Sequence, residues 1–454
     1  MRAKLSDFAS DQRGAVTVLA LIVFFIILIV GGIGVDVMAN ETKRARLQRA
    51  LDAAVLAAAN LRNQTPPAEV LEAYLGRSIG NTEALSYDIQ DDGTSRRVFA
   101  EFTSSSRTNF MRIVGIDALG ISIASEAFER EVGLEVSLVL DISSSMQSHR
   151  RLPSLKAAAR DFVDAILTEE TEGLATINLV PYGGAVNIGD AMFDIMQTRE
   201  LANLPNAPRA FRNAYRNAPP NDRSCFNMRY DALRATSLSQ LYDRLQLPRF
   251  SYWKSPVTNP WCPRASSRVI YASSDRDHLK QHITGMTLSD GTSSQYALHA
   301  GLLFLEPSSR SIFAQLHQSG ELQQSSLGRP LSYDDSRKYI VLMTDGGISD
   351  QYRPRNIFDS RLEHRRTGRP RRNVYTARRY WQAQGDFRRL CDFIKQNRNI
   401  VIFTVAMDNP VAVHHMQHCA SSPSHFFFAN ASEIRDTFST IANSIRKDAI
   451  RLTQ

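Results

Sequence analysis

The sequence predicts an α/β protein: a doubly wound, mostly parallel sheet with large insertions, preceded by a transmembrane helix and a small α+β spacer. Three observations carry this. An uncharged apolar run from Ala15 to Val35 is long enough to cross a bilayer as one helix. Near-continuous Val, Ile and Leu runs from Leu134 onward alternate with helical patterns, the mark of strands covered on both faces. Between those runs lie two long polar stretches, about 187–274 and 349–384, too long for ordinary connections.

The chain has 454 residues, a prior for two or three domains, and 43% hydrophobic residues, enough for a sizeable core. Three segments are expected: 1–62 as leader, membrane helix and amphipathic extension, 63–131 as spacer, and 132–454 as the main domain. The net charge of +8 suits anionic lipid or an acidic protein surface. Neither an aromatic RNA-binding pattern, a zinc-finger spacing nor a phosphate-binding loop accompanies it, so nucleic acid is not an expected partner.

After the apolar run the helix continues into a basic, alanine-rich stretch, where Leu47, Leu51, Val55 and Leu56 recur at helical spacing among Lys43, Arg44, Arg46 and Arg49. The run is longer than a usual signal-peptide core and lacks a small-residue cleavage site after it, which favours a retained anchor. The basic group behind it opposes the positive-inside rule. The short leader before a first hydrophobic segment, and the lack of a second apolar span, instead favour the N-terminus inside and the bulk of the chain outside the cytoplasm. A break comes next at Asn63–Pro67, then candidate strands at Arg97–Phe102 and Gly120–Phe128.

In the main domain Leu134–Asp141 reads as a buried strand, Leu155–Leu167 as a helix and Leu174–Gly184 as a second strand. Lys338–Gly346, the helix Asp386–Asn397 and the strand Asn399–Met407 complete the rhythm. Four cysteines, Cys225, Cys262, Cys391 and Cys419, form no CxxC pair, which argues against a thiolate zinc site. Outside the cytoplasm they are disulfide candidates with three possible connectivities. Cys225–Cys262 would staple the first insertion, and Cys391–Cys419 would tie the last helix–strand unit to the loop after it.

The strongest chemical signal is DISSS, where a buried strand ends: Asp141, Ser143 and Ser145 put three oxygen groups in one turn. Ligands of open α/β sheets bind beyond the carboxyl ends of strands, and Asp345 ends the run IVLMTD at that same edge. Thr292, in DGTSSQ ahead of a helix, is a further hydroxyl, with Thr287 as the fallback. Hard oxygen ligands suit Mg²⁺, or Mn²⁺ or Ca²⁺, and leave an open position for an incoming carboxylate. The competing reading is that these Ser and Asp residues only cap turns and helices.

Other signals are weaker. His414–Cys419 (HHMQHC) reads as an exposed loop with a disulfide rather than a zinc or copper site. His278 and His282 lack the glutamate of a zinc protease. An aspartate-nucleophile hydrolase at Asp141 would want a second carboxylate where Ser143 stands.

These residues carry two resemblances. QRGAVTVLALIVFFIILIVGGIGVDV with the basic helix behind it resembles the N-terminal segment of TadE/TadG-like proteins of Tad (Flp) pilus assembly. Pilin-type processing in the wider family expects a glutamate five residues after the cleaved glycine; counting from Gly14, Leu19 stands there, so a permanent anchor is expected. DxSxS, the distant Thr and TDG together look like the metal-ion-dependent adhesion site of the von Willebrand factor A family. That resemblance implies Ser143, Ser145 and Thr292 as direct or near-direct ligands, and Asp141 and Asp345 as ligands directly or through water. Together the two resemblances imply a bacterial inner-membrane, single-pass protein whose bulk is periplasmic, binding a pilus or secretion component through an acidic residue, and not an enzyme. A pilin-like fibre subunit and a Mg²⁺-dependent hydrolase are the alternatives.

Overall fold

The computed structural model describes residues 15–61, 63, 65–79, 85–93, 95–196, 225, 233, 236, 238, 259–354 and 374–451. The leader with Gly14 and the arginine-rich centre at 362–373 lie outside them. The chain forms two compact units, divided between Glu131 and Val132.

The first unit opens on α1 (Ala15–Ala59), a single helix of 45 residues. Its apolar first half is exposed and long enough to cross a membrane. Its second half is amphipathic. Leu47, Leu51, Ala54, Val55 and Ala58 form one buried stripe at helical spacing. Leu56, expected on that stripe, is 60% exposed because one residue of helix turns it about 100° away from Val55. After the break, Pro67 begins α2 (Pro67–Ile79) at the position where a missing N–H costs nothing. The strands β1 (Leu85–Asp91), β2 (Ser95–Arg107) and β3 (Ala118–Arg130) make an antiparallel meander. Val98, Ala100, Phe102, Ile121 and Ile123 alternate along it and close over the two helices, so helix extension and meander share one core.

The second unit is the α/β domain the sequence predicts. Its six-stranded sheet contains β4 (Gly133–Asp141), β5 (Ala175–Tyr182), β6 (Ile270–Ser273), β7 (Ser336–Thr344), β10 (Ile400–Met407) and β11 (Phe426–Ala429). Their spatial order is β11-β10-β7-β4-β5-β6. All pairings are parallel except the edge pair β5–β6. Every residue of β4 and β5 is buried, which is why both read as continuous apolar runs. One face is covered by α3 (Arg151–Ile166), α5 (Arg276–Gly285) and α10 (Ile434–Arg451). The other carries α4 (Asp190–Met196), α6 (Ser294–Leu303), α7 (Arg310–Gln318), α8 (Tyr380–Asn397) and α9 (Pro410–Cys419). Strand order reverses between β4 and β7, which makes their carboxyl ends the ligand-binding crevice of this architecture.

Three details differ from the expectations. His414–Cys419 is helix α9, not a loop, because Asn409 caps it and Pro410 starts it. The stretch 187–274 holds α4 and the edge strand β6, whose four residues are too few to show a period. The stretch 349–384 opens on β8 (Gln351–Pro354) and closes on its antiparallel partner β9 (Val374–Arg378) and the first turn of α8. Both disulfides form with the expected pairing, Cys225–Cys262 and Cys391–Cys419.

Candidate metal centre

Asp141 is the last residue of β4, and Asp345 follows β7, the neighbouring strand across the switch point. The two strands therefore bring two carboxylates to one edge, and both are fully buried. The turn after β4 folds back on its own aspartate, with the Ser143 N–H donating to Asp141 Oδ1 at 2.8 Å. Ser143 Oγ lies 2.8 Å from Ser145 Oγ, and Ser145 Oγ donates to Asp345 Oδ1 at 2.6 Å. Thr344 Oγ1 donates to Asp141 Oδ2 at 2.6 Å, fixing that carboxylate from the adjoining strand. Ser143, Ser145 and Asp345 thus form a chain of oxygens across two strands, and the Ser143 N–H ties Asp141 to it.

Thr292 sits on the adjoining loop. That loop is laid against the DISSS turn by a bridge between Ser143 and Ser289, and by Ser144 Oγ donating to the Ser289 carbonyl at 3.1 Å. The Thr292 carbonyl accepts the N–H of Ser349, four residues beyond Asp345, and the Thr292 N–H donates to the Ser349 hydroxyl. Among the described residues no hydrogen bond joins its hydroxyl to the other four. Thr287, the fallback, is exposed, and its backbone pairs with the Ser267 hydroxyl instead.

Electrostatics make the site demand positive charge. Burial, then the neighbouring Asp345 carboxylate, push Asp141 up to about 7. Asp345 is raised too, chiefly by burial, against the pull of Ser145 and Arg151. Buried carboxylates are tolerated when paired or metal-bound. Arg151 supplies part of that charge: it donates from Nη1 to Asp345 Oδ2 at 3.1 Å and from Nε to Asp408 Oδ2 at 3.2 Å. Just before it, His149 and Arg150 hold left-handed backbone, strained for side-chain-bearing residues, and α3 starts at once with Arg151 turned into the crevice. Asp141 has no such cation beside it among the described residues. The donor set is all hydroxyl and carboxylate oxygen, which fits a hard divalent cation.

Sequence reasoning missed Arg151, Asp408, Thr344 and the site's surrounding wall. Asp408 directly follows β10, so the signal that found Asp345, an aspartate after an apolar strand, was available for it. Arg151 had no such signal within HRRL. The wall comes from both insertions. Asn259 Nδ2 donates to Ser144 Oγ at 3.1 Å, and the Ser289 hydroxyl donates to the Pro260 carbonyl at 2.7 Å. Trp261 fills the space over Gly184 and Gly291; a Cβ on Gly184 would lie 2.1 Å from its ring. Tyr352 of β8 packs edge-on against Trp261 at 5.6 Å. Gln351 Nε2 donates to the Thr292 carbonyl at 3.2 Å. Cys225–Cys262 fastens the chain next to Trp261, so stapled insertion and hairpin meet beside the oxygen site.

Residues 14–61 match the family model described as putative Flp pilus-assembly TadE/G-like. No curated protein matches the chain. Among solved structures, the vWF domain of the type V pili tip protein Mfa5 from Porphyromonas gingivalis is similar at 16% identity and TM-score 0.36, over 70% of this chain and 97% of that one. The pilus adhesin SpaC from Lactobacillus rhamnosus GG is similar at 12% identity and TM-score 0.32, over 80% of this chain and 34% of that chain. Proximal thread matrix protein 1 from the mussel byssus, with a zinc occupied MIDAS motif, is similar at 10% identity and TM-score 0.29, over 68% of this chain and 46% of that one. Scores of this size leave the fold resting on its own strand order.

Proposed function

We propose that this chain is a TadG-like, membrane-anchored adhesion module that acts in the assembly or anchoring of a Tad (Flp) pilus. Residues 15–35 hold it in the bacterial inner membrane, and the α/β domain stands in the periplasm. Asp141, Ser143, Ser145 and Asp345, joined by Thr292, hold a divalent cation, Mg²⁺ before Mn²⁺ or Ca²⁺. The bound ion supplies an open coordination position for a carboxylate on a pilus or secretion protein. The role is binding, not turnover. Thr344 and the Ser143 N–H orient Asp141, Arg151 tempers Asp345, and the Trp261 wall shapes what reaches the opening.

The observation that carries this reading is the oxygen chain Ser143–Ser145–Asp345 beside a buried Asp141 that has no cation paired with it among the described residues. The match of residues 14–61 supplies the pilus context. Affinity capture by the exported domain, with and without EDTA, is the test. A pilus component retained with Mg²⁺ and lost with EDTA or in Asp141→Ala is expected; capture indifferent to both would overturn the reading. The long exposed apolar helix also fits a fibre subunit. Recovery of the chain with sheared pili, rather than with membranes, would favour that second reading.

A further inference from the structure

We infer that the turn joining β2 to β3, residues 108–117, is a second membrane contact that dips into the bilayer surface beside α1. This rests on the proposed anchoring by residues 15–35. Turn tips on a soluble domain are usually polar. This one reads TNFMRIVGID, and Phe110, Ile113, Val114 and Ile116 are 41%, 69%, 50% and 41% exposed. It is a built structure: a short 3-10 turn, Met111–Val114, closed by Gly115 in the left-handed region at φ 87°.

Its height is fixed against the helix. Asp36, the first charge after the apolar run, is buried, and its carboxylate accepts the N–H groups of Asn109, Phe110 and Met111 at 3.0, 2.7 and 2.7 Å. The Phe110 ring packs on Gly32, where a Cβ would lie 2.4 Å from it. The twenty residues Val16–Val35 span about 30 Å as helix, the thickness of a hydrocarbon core. Gly32 then falls about 5 Å inside the core's edge, and the tip's apolar side chains stand at the same level. A lone carboxylate there is costly, and three charge-assisted N–H bonds offset that cost.

The occupant is lipid, argued from continuity: the exposed apolar surface of α1 runs from Val16 to Val35 and meets the tip at that level. Arg112, whose side chain is 75% exposed and whose Nε lies 3.4 Å from the likewise exposed Asp117 carboxylate, can exchange that surface partner for phosphate while its stem stays among apolar groups. Lys43 adds a cation about two turns beyond Asp36, with Nζ on the Ser105 carbonyl at 2.7 Å.

The test places a spin label on the full chain, reconstituted in phosphatidylethanolamine–phosphatidylglycerol vesicles, at Ile113→Cys, Ile26→Cys or Asp92→Cys. The described native cysteines are all in disulfides and leave the background clean. Oxygen dissolves in lipid and a nickel chelate stays in water. The oxygen-to-nickel accessibility ratio at 113 is expected several-fold above that at 92, at the far end of the meander, and below that at 26. A lipid-exposed 26 with a water-exposed 113 would overturn this inference and leave the anchor standing. A water-exposed 26 would remove the anchor and this inference with it. Shielding of 113 from both reagents would mean that protein covers the tip, and would also overturn it.

Discussion

The charge balance around Asp345 sets how the candidate site would hold an ion. Its carboxylate faces both the Ser145 hydroxyl and the Arg151 guanidinium. A cation bound there feels Arg151 as a like charge within a few ångströms, a repulsion weighted by the partly buried surroundings. Arg151→Ala should therefore tighten Mg²⁺ binding by roughly tenfold in calorimetry. Weaker binding would show that Arg151 organises the ligands rather than competing with the ion. Asp141→Ala should abolish measurable binding, because it removes a buried carboxylate for which no other described group substitutes. Protonation gives an independent check. Asp141 is raised from 3.8 to about 7 in the folded state, so the folded protein binds the proton more tightly than the unfolded chain between those values. The ion-free protein should then melt at higher temperature as pH falls from about 7 towards 5, and Mg²⁺ affinity should drop over the same window. A melting temperature that falls with acidification in EDTA would contradict the assignment.

At the scale of elements, the site depends on loops being pressed together. Gly184 after β5 and Gly291 before Thr292 leave room for the Trp261 ring, and Gly291 also needs its left-handed φ of 74°. Gly184→Ala would force the ring out against backbone on one side and Tyr352 on the other. Stability should fall by about 1–3 kcal/mol, the usual cost of overpacking, and Trp fluorescence should shift to the red as Trp261 meets water. An unchanged spectrum would show that the wall is not packed on this glycine. Much of this scale was legible. The strands of the central sheet announced themselves by continuous Val, Ile and Leu, since both their faces are buried. The edge strand β6 and the hairpin β8–β9 did not. They are four or five residues long, and their partners come from remote sequence, so local pattern carries little of what forms them.

At the scale of the molecule, the core before Val132 and the two clusters after it, one on each face of the sheet, are built from separate stretches of chain. A fragment beginning at Val132 should fold cooperatively without the apolar helix and retain full Mg²⁺ affinity. Aggregation with loss of cooperative melting would show that the first unit is needed for stability. Sequence alone determined the α/β class, the apolar helix, and the candidate ligands Asp141, Ser143, Ser145 and Asp345, because strand burial and the oxygen-rich turn are written in contiguous residues. It proposed Thr292 without a contact to support it. Tertiary structure alone decided that β4 and β7 are neighbours, which is what turns two distant aspartates into one site. It also decided that Arg151 and Asp408 face that site, that both insertions wall it, and that the β2–β3 tip is clamped to Asp36. Each of these is a pairing between segments far apart in the chain, fixed by packing and hydrogen bonds that no local spacing encodes.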